Sequence, residues 1–156
     1  MTALYFAYGS NLHVARMRAR VPSSRPAGVA LLLDQHWSCS KRGADGSGKA
    51  NLEPCPGARS WGALYRFDAK QWPRLDACEV GYKRLAVRVE QRDGTLLDAT
   101  TYHSTRLAPD PTPARWYLDL IVKGAREHGL PAAWIAALLA LPTREGQGPG
   151  DRPQHG

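Results

Sequence analysis

The stretch Leu4-Tyr5-Phe6-Ala7-Tyr8-Gly9-Ser10-Asn11-Leu12 (LYFAYGSNL) decides how the fold begins. Its first part, Leu4 to Tyr8, is a short apolar and aromatic run that predicts a buried strand. The run ends at Gly9-Ser10-Asn11, residue types that favour a tight turn and supply side chains for capping a helix. The residues that follow predict a short amphipathic helix ending before Pro22.

This strand–turn–helix junction is the first candidate site. Successive backbone N–H groups at a turn that opens a helix form an anion-binding concavity, which the helix dipole strengthens. Gly9 at the start of the turn would let a ligand approach the backbone closely. The same pattern is also typical of a strand-to-helix turn with nothing bound, and the residues alone leave both interpretations open.

Further strands are predicted beyond the junction by apolar runs and period-two alternation. The strand-like stretches are Val29–Leu33 (continued after a break at Trp37), Trp61–Phe67, Leu85–Val89 and Leu96–His103. Asp93-Gly94 is a two-residue hairpin signal between the last two of them. The polar, glycine-rich segment 42–49 predicts a loop or hairpin.

Helical patterns occupy the remaining parts of the chain. Residues 68–80 predict a helix that Pro73 keeps short or bent. Thr112 as N-cap and Pro113 as first residue open a longer helix that ends at Gly129, and Pro131 opens another. Because strands and helices do not alternate regularly, the fold class is α+β. We expect one domain over residues 1–142 and a flexible tail over residues 143–156, which are rich in Gly and Pro.

A second candidate site lies near the end of the 68–80 helix. Asp76 and Glu79 are three residues apart and would share one helix face. A glutamate beside apolar Val80 and Tyr82 could have a raised pKa and act as a general base. The alternative is a solvated helix face, which is where most carboxylates lie.

The charge balance of the chain indicates anionic partners. The 156 residues carry 21 Lys and Arg against 14 Asp and Glu, a net charge of +7. That excess first suggests nucleic acid, and Arg16, Arg18, Arg20 and Arg25 form a cationic patch next to the proposed anion-binding turn. The alternative is a solvated positive face, and no base-stacking aromatic platform is evident.

Other classes are disfavoured by what the sequence lacks. No apolar run approaches the roughly 20 residues that span a bilayer, and the N-terminus has no basic and apolar segments typical of a secretory signal. The three cysteines are widely spaced, which favours a reducing cytoplasm over a disulfide framework. His36 and Cys39 lack a second His/Cys pair, so no metal site is expected.

Taken together, these residues resemble the gamma-glutamylcyclotransferase family, whose wider superfamily includes AIG2-like proteins. The residues that carry the resemblance, in chain order over about 4–135, are YFAYGSNL (5–12), WGALY (61–65), Leu75-Asp76 with Glu79, Tyr117-Leu118 and GAREHGLP (124–131). The joint match is far more specific than any one motif.

The resemblance implies a small mixed β-barrel with flanking helices and an enzyme that needs no cofactor. The reaction it implies is a lyase-type cyclisation, which turns a γ-glutamyl amino acid or γ-glutamyl amine into 5-oxoproline and a free amine. By motif position, Glu79 carries over as the general acid/base. The residues that carry over as substrate-binding are Tyr8, Gly9, Ser10, Asn11, Leu12 and Tyr117. Tyr82 and Tyr102 match aromatic positions of the family less closely.

The segment after Glu79 departs from the family pattern. Family members usually have Gly directly after the glutamate and a longer segment before the next Tyr, whereas Glu79-Val80-Gly81-Tyr82 is compressed. We therefore expect an altered pocket rim. With the family in view, the partner we expect is a small γ-glutamyl substrate, with no nucleic acid and no membrane, bound by a cytoplasmic monomer or homodimer. A non-catalytic module that binds small carboxylates on the same fold remains the alternative.

Overall fold

A computed structural model describes residues 1–145, in which five strands close into a barrel with four α-helices around it. The strands are β1 (Thr2–Ala7), β2 (Arg25–Arg42), β3 (Gly48–Asp68), β4 (Lys83–Gln91) and β5 (Leu96–His103). The helices are α1 (Val14–Arg20), α2 (Trp72–Cys78), α3 (Arg115–His128) and α4 (Ala132–Leu139), with short 3-10 turns at Ser10–Leu12 and Ala69–Gln71. No helix within residues 1–145 is both long and apolar enough to cross a membrane.

The barrel runs in the order β1-β3-β2-β4-β5 and closes where β5 meets β1. The pairings are antiparallel except at the closure, where Tyr5 of β1 lies parallel to Thr100 of β5. On its other side Tyr5 faces Tyr65 of β3. The expected α+β class and mixed barrel are confirmed, and so is the hairpin at Asp93-Gly94 between β4 and β5.

The second and third strands extend further than their side-chain patterns predict. β2 runs without the break expected before Trp37, passing through irregularities in register and a positive φ of 60° at Asp34. β3 begins at Gly48 rather than at Trp61. The cause is the pairing of the two strands, because their ladder satisfies backbone groups whatever the side chains between Gly48 and Trp61 are.

The start of α3 corrects the expectation for Thr112. The helix begins at Arg115 with Ala114 as N-cap. Thr112 instead donates its N–H and hydroxyl to the Asp110 carboxylate, a local turn that competes with capping. The other end is as predicted, since Gly129 ends the helix with a left-handed φ of 73°.

Ordered contacts reach past the expected domain end at residue 142. Arg144 forms a parallel bridge with Ala114, and its N–H donates to the carbonyl of Pro113. The rest of the expected tail, residues 146–156, lies outside the described residues.

Helix α3 positions the turn that follows β1. A Cβ atom on Gly124 would lie 2.3 Å from the carbonyl carbon of Leu12 and 2.4 Å from the N of His13, so only glycine allows this approach. Leu12 and Ile121 are fully buried at this contact. The first predicted site is therefore a turn clamped between β1 and α3.

Candidate active site

A cavity with about 340 Å³ of empty volume opens where the end of β1 meets the segment after α2. Its walls combine the glycine-serine turn, one carboxylate and five tyrosines. The lining residues are Tyr5, Tyr8, Gly9, Ser10, Asn11, Ala50, Glu79, Tyr82, Tyr102 and Tyr117. Within residues 1–145, no three His, Cys, Asp or Glu side chains come together as a group that could hold a metal ion.

Glu79 supplies the carboxylate. It is the C-cap of α2, and its N–H donates to the carbonyls of Leu75 and Asp76. Its side chain is only 10% exposed. Burial raises the pKa of the Glu79 carboxyl above its ordinary value, while the charge of Arg20 and a hydrogen bond from Asn11 oppose that rise. A carboxyl whose pKa is raised is suited to accepting and donating protons at a higher pH than an exposed glutamate.

A short chain of hydrogen bonds orients this carboxylate. Arg20 donates through Nη1 to Asn11 Oδ1 at 3.1 Å, and Asn11 donates through Nδ2 to Glu79 Oε1 at 2.6 Å. Arg20 also lies 3.6 Å from Glu79 Oε1, and its side chain is only 8% exposed. Asn11 Nδ2 donates to Tyr5 Oη at 3.0 Å as well. The amide of Asn11 is thus held at both ends, which fixes the direction of its N–H toward the carboxylate.

The turn between β1 and α1 is held from behind by side chains of β3 and α3. Tyr65 Oη lies 2.8 Å from the carbonyl oxygen of Asn11 and 3.1 Å from that of Leu12, and His128 Nε2 lies 2.9 Å from the latter. Burial lowers the pKa of His128, which favours the neutral ring at this contact.

The turn between β1 and α1 begins with backbone N–H groups. Its first internal hydrogen bond runs from the N–H of Leu12 to the carbonyl of Gly9. The N–H groups of Ser10 and Asn11 therefore come before that bond, as at the start of any helical turn. Ser10 Oγ accepts from Arg16 Nε at 3.2 Å, which holds a cation beside the turn.

The tyrosine hydroxyls are engaged with the backbone. Tyr8 donates to the carbonyl of Tyr102 at 2.6 Å, and Tyr82 donates to the carbonyl of Ala50 at 2.7 Å. Tyr117 Oη accepts from the N–H of Ala50 at 2.9 Å. Burial raises the pKa of each of these phenols, so all remain neutral. The rings therefore form a fixed wall of neutral side chains around Glu79.

Most residues expected at the site from the sequence come together in this cavity. The residues that line it as expected are Tyr8, Gly9, Ser10, Asn11, Glu79 and Tyr117. Leu12 does not: its side chain is fully buried in the core beneath the turn, where it supports the loop from below. Tyr82 and Tyr102, the less closely matched aromatic positions, also line the cavity.

Sequence reasoning missed three contributors, namely Tyr5, Ala50 and Arg20. The cationic patch predicted next to the turn includes Arg20, but of its four arginines only Arg18 and Arg25 are exposed. A signal was present, because Met17 and Arg20 are three residues apart and lie on the same inward face of α1. Tyr5 and Ala50 line the cavity from β1 and β3, and no local sequence pattern indicates that they belong to a site.

Asp76 corrects a second expectation. The helix ends at Cys78, so Glu79 leaves the helical path and does not share a face with Asp76. Asp76 accepts from Arg84 Nε at 2.9 Å and from Tyr102 Oη at 2.6 Å. These bonds, Arg84 first, lower the pKa of the Asp76 carboxyl.

The compressed segment after Glu79 forms part of the rim. Val80 is exposed, and its carbonyl accepts from Lys41 Nζ at 3.0 Å. Gly81 follows with a left-handed φ of 83°, and its carbonyl accepts from Ser104 Oγ. Both residues thus tie the segment to neighbouring strands.

Comparisons with known proteins agree with the geometry. The model of the AIG2-like family matches residues 59–138. The gamma-glutamylcyclotransferase of Mus musculus is 32% identical over 157 residues, covering 94% of this chain and 82% of the mouse protein. The gamma-glutamylcyclotransferase of Homo sapiens is 31% identical, covering 88% of this chain and 78% of the human protein.

A solved structure described as a gamma-glutamyl cyclotransferase superposes with a TM-score of 0.86 at 29% identity. The superposition covers 95% of this chain and 92% of that one. The resemblance drawn from the sequence motifs is confirmed by these matches.

Proposed function

The chain belongs to the gamma-glutamylcyclotransferase family of enzymes, and we propose that it converts a γ-glutamyl amino acid or γ-glutamyl amine to 5-oxoproline and the free amine. Glu79 acts as the general acid/base, and the turn Tyr8–Asn11 and Tyr117 bind the substrate without a cofactor. The observation that carries the proposal is the carboxylate of Glu79, 10% exposed in a tyrosine-walled cavity and oriented by Asn11.

The chemistry removes two protons from the substrate's α-nitrogen, and one carboxylate can take up each in turn and pass it on. The α-ammonium of the substrate gives a proton to Glu79, and the free amine attacks the γ-carbonyl carbon to close a five-membered ring. As the bond from that carbon to the leaving nitrogen breaks, Glu79 returns the proton to the leaving nitrogen. Glu79 then takes the second proton of the ring nitrogen and passes it to the departing amine or to water.

The raised pKa of Glu79 suits both halves of this cycle. A general acid/base works best when its pKa is near the operating pH, and burial moves the Glu79 carboxyl in that direction. Arg20 lowers the pKa of Glu79 and so opposes the effect of burial. Its guanidinium, 3.6 Å away, favours the carboxylate form that must accept the first proton.

The turn and the tyrosine wall supply the remaining parts. The N–H groups of Ser10 and Asn11 are suited to the oxyanion that develops on the γ-carbonyl. A fixed cavity favours the folded substrate conformation in which amine and carbonyl are adjacent, and this is the entropic part of the catalysis.

The test is production of 5-oxoproline from a panel of γ-glutamyl amino acids and amines. We expect turnover by the wild type and its loss in Glu79→Gln. Glu90→Gln changes a half-buried carboxylate that is paired with Arg59 away from the cavity; it is the matched control and should retain activity. No product from any donor, or full activity in Glu79→Gln, would overturn the proposal. Saturable binding of donors without product would instead indicate the non-catalytic binding module.

A further inference from the structure

A second cavity, the arginine cavity, lies among helices α1, α2 and α3. It has about 1200 Å³ of empty volume, open to solvent. Three arginines contribute to its wall, Arg16 and Arg20 from α1 and Arg74 from α2. The other lining residues are His13, Ala15, Ala19, Cys78 and Leu120. No described residue of this wall is acidic, so the cavity presents three cations without an anion of its own.

Each of the three guanidiniums is anchored through one nitrogen. Arg16 donates through Nε to Ser10 Oγ, and Arg20 donates through Nη1 to Asn11 Oδ1. Arg74 donates through Nε to the carbonyl of Arg20 at 3.2 Å. These bonds restrain the side chains, so a ligand that binds all three pays less entropy to order them.

The remaining guanidinium nitrogens have no acceptor within residues 1–145. These nitrogens are Nη1 and Nη2 of Arg16 and Arg74, and Nε and Nη2 of Arg20. Arg20 is only 9% exposed, so water replaces the missing acceptors poorly at that side chain. Burial and the nearby charge of Arg20 lower the pKa of the Arg16 guanidinium. An anion between the arginines would accept these hydrogen bonds and relieve the repulsion between the two cations.

The charge of the wall fits a phosphate group. Glu79 is the nearby carboxylate, 3.6 Å from Arg20, and it offsets one of the three positive charges. A phosphate monoester carries a charge of about −1.5 to −2 at pH 7 and three acceptor oxygens, which suits the charge that remains. Ala15, Ala19 and Leu120 add apolar surface on which an organic group attached to the phosphate can pack.

The arginine cavity is connected to the tyrosine-walled cavity (the tyrosine cavity) through two of its arginines. Arg20 contacts both Asn11 and Glu79, which line the tyrosine cavity, and Arg16 holds Ser10 of the same cavity. The charges of Arg20 and Arg16 oppose the rise that burial gives to the pKa of the Glu79 carboxyl. An anion bound to both arginines therefore weakens their stabilisation of the Glu79 carboxylate.

Resting on the proposed function for its effect on activity, we propose that the arginine cavity binds a phosphate-bearing anion, which inhibits cyclisation without competing with the γ-glutamyl donor. The bound anion takes hydrogen bonds from Arg16, Arg20 and Arg74 and leaves the tyrosine cavity open to the donor. Lys41 of β2, the other cation that acts on the Glu79 carboxyl, does not line the arginine cavity and keeps its effect. Inhibition is therefore partial.

Calorimetric titration of the full chain tests the site itself, with inorganic phosphate and phenyl phosphate as probes and chloride used to hold the ionic strength constant. We expect saturable binding, weakened about 3- to 10-fold in Arg74→Gln because one guanidinium is lost. Arg18→Gln removes an exposed cation of α1 that does not line the cavity, and should keep the wild-type affinity.

The two probes also identify the source of the phosphate. Tighter binding of phenyl phosphate supports the site as one for an organic phosphate, and equal or weaker binding supports it as one for free phosphate. Absence of saturable binding, or an affinity that Arg74→Gln leaves unchanged, overturns the site whether or not the protein releases 5-oxoproline.

Steady-state release of 5-oxoproline tests the effect on catalysis. We expect saturating phosphate to lower kcat about 3- to 10-fold, and Arg74→Gln to raise the phosphate concentration that gives half of this effect. Each variant is compared with its own rate without phosphate. An unchanged kcat with phosphate bound overturns the inhibition. Inhibition that excess donor relieves and that Arg74→Gln does not alter assigns the anion to the turn at residues 9–11, which overturns the second site and leaves the cyclisation standing.

Discussion

Asp76 and Glu79 are three residues apart in the chain and occupy opposite electrostatic environments. Asp76 lies within α2, is 40% exposed and is paired with Arg84, and its pKa is lowered. Glu79 lies one residue past the helix end, is 10% exposed and has a raised pKa.

The end of the helix, rather than the residue type, places the two carboxylates in different environments. Within α2 the backbone keeps Asp76 beside β4 and β5. There the guanidinium of Arg84 and the hydroxyl of Tyr102 stabilise its charge. The turn that ends α2 carries Glu79 into the tyrosine cavity, where burial opposes its charge. A carboxylate whose charge is stabilised is suited to structure, and one whose charge is opposed is suited to proton transfer.

The sharpest test of this comparison is to neutralise each carboxylate separately. We expect Glu79→Gln to lower kcat/KM for a γ-glutamyl donor by about 10³-fold or more, because the proposed base is removed. Asp76→Asn should lower it by less than about 10-fold, since Asp76 reaches the cavity only through Tyr102. Both values are measured as steady-state release of 5-oxoproline. Losses of similar size in the two variants would contradict the proposal that only Glu79 takes part in proton transfer.

A smaller effect is expected when the cation facing Glu79 is changed. Removing Arg20 in Arg20→Gln takes away a charge that lowers the Glu79 pKa, so that pKa should rise and the active carboxylate form should appear only at higher pH. We expect kcat/KM near neutral pH to fall about 10- to 100-fold and to recover partly in alkaline buffer.

Arg20→Lys keeps the charge and should restore the pH profile, although not the bond to Asn11 in full. Arg18→Gln, an exposed cation of the same helix, is the control. If Arg20→Gln lowered activity equally at every pH, Arg20 would be acting on structure alone.

The pH profile of the wild type sharpens the comparison further. Because the Glu79 pKa is raised, the acid limb of kcat/KM should have its midpoint above 4.5, the ordinary value for a glutamate. The limb should remain in place in Asp76→Asn, since the lowered pKa of Asp76 keeps it ionised throughout that range. If the acid limb shifted in Asp76→Asn, the titrating group would be Asp76 and not Glu79.

The smallest expected effect is that of Asp76→Asn on the stability of the fold. Its lowered pKa means that it stabilises the fold above 3.8, the ordinary value, and that this contribution is lost as the pH falls through the pKa of the folded state. Asp76→Asn should therefore reduce the free energy of unfolding by about 1 kcal/mol at pH 7. Urea denaturation at pH 7 and at pH 3 should show the difference from wild type shrinking at the lower pH.

The sequence predicts the parts of this fold whose patterns are local. Alternation in β4, the Asp93-Gly94 hairpin and the strand–turn–helix junction at Gly9 each follow from residues that are neighbours in the chain. The full lengths of β2 and β3 do not, because they depend on pairing between strands rather than on side-chain period.

The site divides in the same way. Glu79 and the turn at Gly9 are marked by family motifs. Tyr5 belongs to the same family-like stretch, YFAYGSNL, but its place in a strand does not predict that it lines the cavity. Arg20 is indicated only by its helical spacing. Asn11 and Glu79 are 68 positions apart, and their hydrogen bond exists only once the barrel brings α2 to the end of β1. Contacts of this range are set by the whole topology, and no local pattern encodes them.

The way the barrel closes implies an order of assembly. The β2–β3 and β4–β5 hairpins join strands that follow each other in the chain, whereas β1 must find partners far along it: Thr101 donates to the carbonyl of Phe6 from 95 positions away. Since distant contacts cost more loop entropy, we expect the hairpins to form first and β1 to insert late. β1 leads directly into the turn that binds Glu79, so catalytic competence would emerge at the final folding step. The strand that precedes all the others in the chain would then be among the last to pair.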